Sequence, residues 1–294
     1  MQLIEGIKIS GQIIDEIAEY TSGLRSKGLR APHLAAVLVG EDGASKTYVA
    51  AKVKACERAG MESTLITMPE NITEAKLLQT IVELNERDDI DGYIVQLPLP
   101  SHINETRVIE AIRPDKDVDG FHPQNLGKMM LSQECFIPAT PKGIIELLRR
   151  YEIDTTGKHC VVLGRSHIVG LPVAVLMQRN MYPGNATVTI LHSKSKDVEE
   201  TCRHADILIV ATGRAEMVTA NMVKPGAVVI DVGITRIPDD TKKSGFRLAG
   251  DVHFDDVAPK CSYITPVPGG VGPMTIAALL QNTRQAHERR GVSK

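Results

Sequence analysis

A serine, a tyrosine and a lysine in the first third of the chain have a spacing suited to acid–base chemistry. Ser45, Tyr48 and Lys52 are three and four residues apart, so a helix would present them on one face. Val49 and Cys56 are neighbours of Lys52 on such a helix, and burial beside apolar groups disfavours a charged amine. The pattern therefore predicts a lowered pKa for Lys52, and a neutral amine at pH 7 can act as a general base. On spacing alone, a surface lysine whose stem packs against the tyrosine is the competing interpretation.

Two further polar residues follow apolar segments of the same region. Gln96 ends the apolar run 90–95. The carboxyl ends of parallel strands face the ligand crevice, so this amide is placed to orient a neighbouring group; a simple strand cap is the alternative. Asp119 lies in a loop with Asp117. Two carboxylates can bind a metal, but no other ligand type is close in sequence, so a hydrogen-bond acceptor for a substrate amino group fits Asp119 better.

The composition excludes several classes of partner and site. The 34 basic and 36 acidic residues give a net charge of −2, so no broad field favours nucleic acid or an anionic membrane. Nine histidines and five cysteines include no pair at zinc-ligand spacing and no C-x-x-C; we therefore expect no metal and the reduced thiols of a cytoplasmic protein. The N-terminus lacks the apolar segment of a signal peptide, and no apolar run is long enough to span a membrane.

Apolar runs of strand length alternate with segments of helical periodicity, which predicts parallel sheets with crossover helices. We expect an α/β protein of two domains: an N-terminal αβα domain with a parallel sheet, and a C-terminal Rossmann-like domain, with a cleft between them. The first covers residues 1–140 and is joined by a C-terminal helix at 274–294; the second covers 141–273. The predicted strands are 34–39, 63–67, 90–95, 160–163, 187–191, 207–211, 227–232 and 263–265. The predicted helices are one capped by Ser10, then 45–59, 73–86, 141–151, one from about 168, and 274–290, while 115–141 is predicted to be irregular.

A glycine turn joins a strand to a helix in the predicted second domain. It contains Gly164, Arg165 and Ser166 and runs to Gly170. Backbone N–H groups in such a turn, with a helix N-terminus behind them, favour a phosphate. Ser166 stands where the motif G-x-G-x-x-G has its second glycine. A strand–turn–helix that binds no ligand is therefore an alternative interpretation of this segment.

The next predicted strand indicates which dinucleotide would bind. An NAD site usually has an acidic residue at this strand end to hold the ribose hydroxyls. Here the strand is followed by His192, Ser193, Lys194, Ser195 and Lys196, without an acid. Because a guanidinium and a hydroxyl can bind the extra phosphate of NADP, Arg165 with Ser193 favours NADP over NAD. The two lysines are equally well explained as a solvated loop. Ile234, after the strand 227–232, lines the cofactor pocket or is plain core.

Five blocks stand out when these segments are taken together: Ser45–Lys52 (SKTYVAAK), Val95–Pro100 (VQLPLP), Lys116–Gly120 (KDVDG), Gly164–Gly170 (GRSHIVG) and Pro266–Thr275 (PVPGGVGPMT). In this order they resemble the bifunctional methylenetetrahydrofolate dehydrogenase/methenyltetrahydrofolate cyclohydrolase family. Each block is modestly specific; the combination, which spans most of the chain, is highly specific. One departure is a helix-to-strand connection at 179–185 that looks longer than the family's, and it leaves the match at Ser193 intact.

The resemblance implies an enzyme of one-carbon metabolism that uses NADP to oxidise methylenetetrahydrofolate and hydrolyses the methenyl product to formyltetrahydrofolate. It also implies a homodimer. In this reading Lys52 is the catalytic residue, Tyr48 and Gln96 assist it, and Asp119 anchors the pterin. Further folate contacts are implied for Val95, Leu97, Pro268, Gly269, Gly270, Val271 and Gly272. NADP contacts are implied for Gly164, Arg165, Ser166, Ser193 and Ile234.

Three other interpretations compete with this one. Tyr48 and Lys52 also match the catalytic pair of short-chain dehydrogenases, but there the glycine-rich turn precedes the pair, whereas Gly164 follows it. A non-catalytic nucleotide-sensing protein on the same fold is disfavoured because Lys52, Gln96 and Asp119 are all present. A dehydrogenase that has lost the hydrolase step is disfavoured only weakly.

Overall fold

The computed structural model describes residues 1–242 and 245–291. The chain divides into two compact units. The first unit comprises residues 11–139 and the chain from Ile276 onward, and the second comprises residues 1–10 and 140–275. The last three positions of the predicted helix 274–294 lie outside the described residues.

The strands are β1 (Gln2–Leu3), β2 (His33–Val39), β3 (Glu62–Met68), β4 (Gly92–Val95), β5 (His159–Leu163), β6 (Thr187–Leu191), β7 (Ile207–Val210), β8 (Val228–Asp231), β9 (Thr235–Pro238), β10 (Phe246–Ala249) and β11 (Tyr263–Ile264). The α-helices are α1 (Gly6–Ser26), α2 (Gly43–Arg58), α3 (Glu74–Glu86), α4 (Glu105–Ala111), α5 (Pro123–Met130), α6 (Ala139–Arg150), α7 (Gly170–Gln178), α8 (Val198–Arg203), α9 (Phe254–Val257) and α10 (Val271–Arg289). Two 3-10 turns cover Ala220–Met222 and Ala258–Lys260.

The first unit is built on a parallel sheet of three strands in the order β3-β2-β4. The central strand β2 is apolar on both faces: Ala35 and Val37 pack with Leu77 and Ile81 of α3, while Leu34 and Leu38, which point the other way, are also buried. A continuous apolar run is what a parallel strand covered on both sides requires. This sheet brings the carboxyl ends of β2 and β4 to one edge.

The second unit is built on a parallel sheet of six strands in the order β1-β11-β8-β7-β5-β6. Strand β5 lies between β6 and β7, so the strand order reverses at β5. Ligands of open α/β sheets bind outside the carboxyl ends of the strands at such a reversal. The predicted fold class, α/β with two parallel-sheet domains and a Rossmann-like second one, is confirmed.

Several short elements differ from the sequence prediction. Helix α5 lies inside 115–141, which was predicted to be irregular, and the His122 side chain caps it by accepting from the backbone N–H of Gln124. Helix α1 begins at Gly6, so Ser10 does not cap it; its hydroxyl donates to the carbonyl of Ile7 at 3.0 Å. The sequence also missed α4, α8 and the antiparallel pair β9–β10. Elements this short have weak periodicity and form because of packing.

The N-terminal ten residues lie in the second unit, although the predicted first domain began at residue 1. The reason is that β1 pairs in parallel with β11 at Gln2–Tyr263 and Leu3–Ile264. Within residues 1–242 and 245–291, no helix is long and apolar enough to cross a bilayer.

Candidate active site

Lys52 of α2 and Gln96, which follows β4, meet at the carboxyl edge of the first sheet. The Asp42 side chain caps α2 by accepting from the backbone N–H of Ser45 at 2.7 Å. Gln96 extends β4, since its backbone N–H donates to the carbonyl of Val37 at 2.9 Å. Lys52 Nζ donates to Gln96 Oε1 at 3.0 Å. The other end of the Gln96 amide donates to the carbonyl of Leu97 at 2.7 Å, which fixes the orientation of the amide.

The lysine is held in an apolar environment. Lys52 is 8% exposed, and its helix neighbours Val49 and Cys56 are 1% and 0% exposed. Burial lowers the pKa of the Lys52 ammonium, and the nearby charge of Asp119 partly opposes that shift. The lowered pKa that the sequence pattern predicted is confirmed in direction, and the interpretation of Lys52 as a surface residue is wrong.

Asp119 sits on a loop that a second carboxylate organises. The buried Asp117 side chain accepts from the backbone N–H groups of Gly120 at 3.1 Å and His122 at 2.8 Å, and from Asn125 Nδ2 at 2.9 Å. The sequence pattern disfavours a metal at the Asp117–Asp119 pair and indicates no other role for Asp117. Its oxygens are occupied by these N–H donors, and no group of three potential metal ligands occurs in the part of the chain that the structure describes. The D-V-D-G sequence, with a glycine just after the second acid, was the available signal for this tight turn.

The Asp119 carboxylate is available for a ligand. It accepts no hydrogen bond from residues 1–242 or 245–291, although its own backbone carbonyl accepts from the N–H of Ala139 at 3.3 Å. Burial raises the pKa of the Asp119 carboxyl, and the charge of Lys52 opposes the rise. Asp119 lines a small cavity of about 10 Å³, the size of one water molecule, together with Val95 and Leu97, two residues for which the family resemblance implies substrate contacts. The structure therefore brings Lys52, Gln96 and Asp119 into one region of the first unit.

Tyr48 is placed differently from its predicted partners. Its side chain is 39% exposed, and among the described residues its hydroxyl has no hydrogen-bond partner. The helix spacing is as predicted, but the hydroxyl does not contact Lys52 by a hydrogen bond. A phenol exposed beside a buried amine is free to contact a bound molecule.

All five predicted cofactor residues lie at the carboxyl edge of the second sheet: Gly164, Arg165 and Ser166 after β5, Ser193 after β6 and Ile234 after β8. The backbone N–H of Gly164 donates to the carbonyl of Leu191 at 2.8 Å, which joins the turn after β5 to the end of β6. A side chain at Gly164, which has φ +135°, would place Cβ 2.2 Å from the carbonyl oxygen of Ala211. Glycine is required there because the turn packs against the end of β7.

Ser166 has a local role that sequence spacing did not predict. Its Oγ accepts from the backbone N–H groups of Val169 at 3.1 Å and Gly170 at 3.4 Å, the two residues at which α7 begins. This explains a serine in place of the second motif glycine, because the side-chain oxygen satisfies N–H groups at the helix N-terminus. Arg165 and Ser193 are exposed, and Ile234 is 45% exposed. These side chains are therefore accessible to a ligand at this edge.

The Pro/Gly segment predicted to contact folate lies in the second unit: Pro268, Gly269 and Gly270 belong to the loop between β11 and α10, and Val271 and Gly272 begin α10. Pro268 and Gly272 are exposed, whereas Gly270 and Val271 are buried. The carbonyl of Gly269 accepts from the backbone N–H of Ile7 at 2.9 Å, so the start of α1 holds the loop.

Two family models match the chain over most of its length. One is the catalytic domain of tetrahydrofolate dehydrogenase/cyclohydrolase, over residues 4–119, and the other is the NAD(P)-binding domain of the same family, over residues 138–291. The chain belongs to the tetrahydrofolate dehydrogenase/cyclohydrolase family. The resemblance inferred from the five sequence blocks is confirmed, and the short-chain dehydrogenase alternative is excluded.

Individual members of the family are similar over their full length. The bifunctional protein FolD of Cytophaga hutchinsonii is 64% identical, and the match covers 97% of this chain and 99% of the relative. The crystal structure of the bifunctional FolD enzyme of Campylobacter jejuni is 47% identical with a TM-score of 0.92 and covers 99% of both chains. The dehydrogenase-cyclohydrolase of Trypanosoma brucei, solved with NADP cofactor and an inhibitor, is 38% identical with a TM-score of 0.93 and covers 99% of this chain and 98% of that one. The predicted enzyme class, a bifunctional dehydrogenase and cyclohydrolase that uses NADP, is confirmed by these matches.

Proposed function

We propose that Lys52, Gln96 and Asp119 form one site for two successive reactions: oxidation of 5,10-methylenetetrahydrofolate to 5,10-methenyltetrahydrofolate with NADP+, and hydrolysis of that product to 10-formyltetrahydrofolate. The observation that carries the proposal is the buried Lys52 amine, with its lowered pKa, oriented by the hydrogen bond to Gln96 Oε1. Buried amines of this kind are suited to proton abstraction near neutral pH.

The residues at the carboxyl edge of the second sheet fit NADP. The turn at Gly164 approaches the sheet closely and is followed by the N-terminus of α7, which favours a phosphate. No carboxylate occurs between His192 and Lys196, where it would repel a 2′-phosphate, and the exposed Arg165 and Ser193 would hold that phosphate. Ser166 and Ile234 would contact the rest of the dinucleotide. When bound, NADP+ supplies the acceptor for the hydride that leaves the methylene carbon.

A neutral Lys52 favours the first reaction. Loss of hydride turns the methylene bridge into a cationic methenyl group, and an ammonium beside it would raise the energy of the product by Coulomb repulsion. Because burial favours the neutral amine, this repulsion is avoided.

The same amine then promotes hydrolysis. An N–H of Lys52 donates to Gln96 Oε1, which leaves the nitrogen lone pair of the neutral amine available to accept a proton from a water molecule bound beside the methenyl carbon. As the water oxygen bonds to that carbon, Lys52 Nζ takes the water proton. The bond from the carbon to N5 of the folate then breaks: the new hydroxyl loses its proton and becomes the formyl C=O, N5 keeps the electron pair of the broken bond and takes up one proton, and the formyl group stays on N10. One proton is released overall.

The remaining predicted contacts position the folate. Asp119, whose carboxylate accepts no hydrogen bond from the described residues, would accept one from the pterin amino group. By family resemblance, Val95 and Leu97, which lie beside Asp119, would contact the folate as well, and the exposed Tyr48 would contact it near Lys52. By family resemblance, Pro268, Gly269, Gly270, Val271 and Gly272 would also contact the folate.

The decisive experiment mixes purified protein with methylenetetrahydrofolate and NADP+ and follows NADPH and the methenyl product by absorbance, with NAD+ in parallel. We expect NADPH to form with little methenyl accumulation. Accumulation of the methenyl product would leave a dehydrogenase without the hydrolase step. Absence of turnover with either dinucleotide would support the non-catalytic alternative and overturn the proposal.

We further propose that the enzyme is a cytoplasmic homodimer that binds neither nucleic acid nor membranes. The five cysteines are free and buried, which suits a reducing compartment, and the balanced charge gives no broad field for polyanions. Light scattering after size exclusion would test the dimer: a monomeric mass at micromolar concentration would contradict it.

A further inference from the structure

Two carboxylates are buried at the carboxyl edge of the second sheet, where none of the predicted site residues is acidic. Asp231 is the last residue of β8, and Asp251 follows β10; they are 3% and 0% exposed. Buried carboxylates are rare unless they are paired or hydrogen-bonded. Their hydrogen-bond partners therefore indicate what the pair does.

Asp251 holds the turn that follows β7. Its Oδ2 accepts from the backbone N–H groups of Thr212 at 2.6 Å and Gly213 at 2.9 Å. These residues come directly after Ala211, whose carbonyl packs against Gly164 so closely that no Cβ fits between them. Asp251 thus fixes the backbone segment against which the glycine turn at Gly164 packs.

Asp231 holds the turn that follows β8. Its Oδ1 accepts from the backbone N–H groups of Gly233 at 3.0 Å and Asp251 at 2.9 Å, and its Oδ2 accepts from that of Val252 at 2.9 Å. Gly233 directly precedes Ile234, a predicted cofactor contact. The Asp231 carboxylate therefore holds the backbone of Asp251, and between them the two residues hold two turns at the cofactor edge.

Asp231 also connects this edge to the Pro/Gly loop. Its backbone N–H donates to Thr265 Oγ1 at 2.7 Å. Thr265 is completely buried and directly precedes the loop that contains Pro268 and Gly269. One network of hydrogen bonds thus spans the ends of β7, β8 and β11.

One oxygen of the pair has no partner. Asp251 Oδ1 is buried without a hydrogen bond to any residue that the structure describes, and a Cβ on Gly233 would lie 2.2 Å from it. A buried acceptor without a donor lowers stability. This cost is explained if Asp251 Oδ2 holds the turn at Thr212 and Gly213 in the geometry that dinucleotide binding requires.

We propose that Asp251 and Asp231 are positioning residues for the dinucleotide, which set the turns after β7 and β8 in the geometry that the cofactor requires. The proposal rests on the proposed function, because it presupposes that NADP+ binds at this edge. The carboxylates act through the backbone of Thr212, Gly213 and Gly233 and do not themselves contact the cofactor.

The test compares Asp251→Ala, Asp251→Asn and a control, Asp206→Ala. Asp206 lies just before β7, at the opposite edge of the same sheet, where its Oδ2 accepts from the backbone N–H of His159 at 2.8 Å. The readouts are the dissociation constant of NADP+ by calorimetry, the KM for NADP+, the melting temperature, and the hydrolysis of methenyltetrahydrofolate without any dinucleotide. A purely structural role would lower all activities together with the melting temperature.

We expect Asp251→Ala to weaken NADP+ binding about tenfold or more, because two backbone donors lose their acceptor, while methenyl hydrolysis stays within about twofold. Asp251→Asn should retain binding, since its amide oxygen can accept the same two hydrogen bonds. Asp206→Ala should lower the melting temperature and leave NADP+ affinity unchanged.

Wild-type NADP+ affinity in Asp251→Ala would overturn the inference. If the alanine variant does not fold, an Asp251→Asn variant with lowered melting temperature and equal losses of both activities would overturn it as well. Absence of NADP+ binding to the unsubstituted chain, together with intact methenyl hydrolysis, would instead overturn the cofactor part of the proposed function, and this inference with it.

Discussion

Lys52 Nζ and Gln96 Oε1 are joined by a hydrogen bond of 3.0 Å, although the two residues are 44 positions apart in the chain. The bond forms because α2 follows β2, and β4 lies beside β2 in the same parallel sheet. It gives the amine one fixed acceptor in a site where water is largely excluded. The pair therefore determines how the only buried lysine of α2 is oriented.

Replacement of the amine should separate the two activities. Lys52→Gln keeps much of the side-chain length but removes the base, so we expect methenyl hydrolysis to fall by about 10²-fold or more, with a smaller loss of NADPH formation. Separate initial-rate assays of the two reactions would measure this. Lys54→Gln, an exposed lysine on the same helix, is the matched control and should change neither rate. Equal activities in Lys52→Gln and the unsubstituted enzyme would refute the role of Lys52.

A negative charge at position 96 should shift the pH dependence of hydrolysis. In Gln96→Glu, a carboxylate would replace the amide oxygen that accepts from Lys52, and Coulomb attraction would raise the pKa of the amine. Lys52 would then be protonated at neutral pH, so hydrolysis should decrease there and recover as the pH rises. The pH profile of methenyl hydrolysis is the measurement. Gln133→Glu, an exposed position with the same change in charge, should leave the profile unaltered.

The preference for NADP+ over NAD+ should depend on Arg165, in the turn after β5. Arg165→Ala removes a charged partner of the 2′-phosphate, and we expect the KM for NADP+ to rise about tenfold or more, with little change for NAD+. Arg203→Ala, which removes an exposed arginine of α8 in the same unit, serves as the control. An equal rise in KM for NADP+ and NAD+ would show that Arg165 does not bind the 2′-phosphate.

Stability should depend on pH through Asp231. Burial raises the pKa of this carboxyl from 3.8 to about 7 in the folded state. Between pH 3.8 and about 7, the Asp231 carboxyl is protonated in the folded chain and ionised in the unfolded chain. Its contribution to the free energy of unfolding is therefore full below the pKa of the unfolded state, and it is lost as the pH rises through the folded pKa of about 7. We expect Asp231→Asn to flatten the fall in urea midpoint between about pH 5 and 8.

The carboxyl at position 206 provides the control for that measurement. The hydrogen bond from Lys224 lowers the pKa of Asp206, so its contribution is present at neutral pH and is lost only towards acid pH. Asp206→Asn should therefore leave the slope between about pH 5 and 8 unchanged. An unaltered slope in Asp231→Asn would show that this carboxyl does not titrate in the window.

Long apolar runs were enough to predict the central elements. Strands β2 and β5 were predicted to within one residue at each end, because strands buried on both faces are apolar throughout. The short helices α4 and α8, the pair β9–β10 and the N-terminal strand β1 carry no comparable pattern. They form because neighbouring segments supply packing and hydrogen bonds that local propensity does not.

Spacing and residue type by themselves determined the candidate chemistry: a lysine beside apolar helix neighbours, an amide at a strand end, and a phosphate-binding turn followed by a strand end without an acid. Those features are local, so the sequence displays them directly. Only the tertiary structure decided that Lys52 contacts Gln96, that Asp117 shapes the loop of Asp119, and that Tyr48 faces outward. It also revealed Asp231 and Asp251, because their role depends on backbone donors from distant strands that only the folded sheet brings within hydrogen-bond distance.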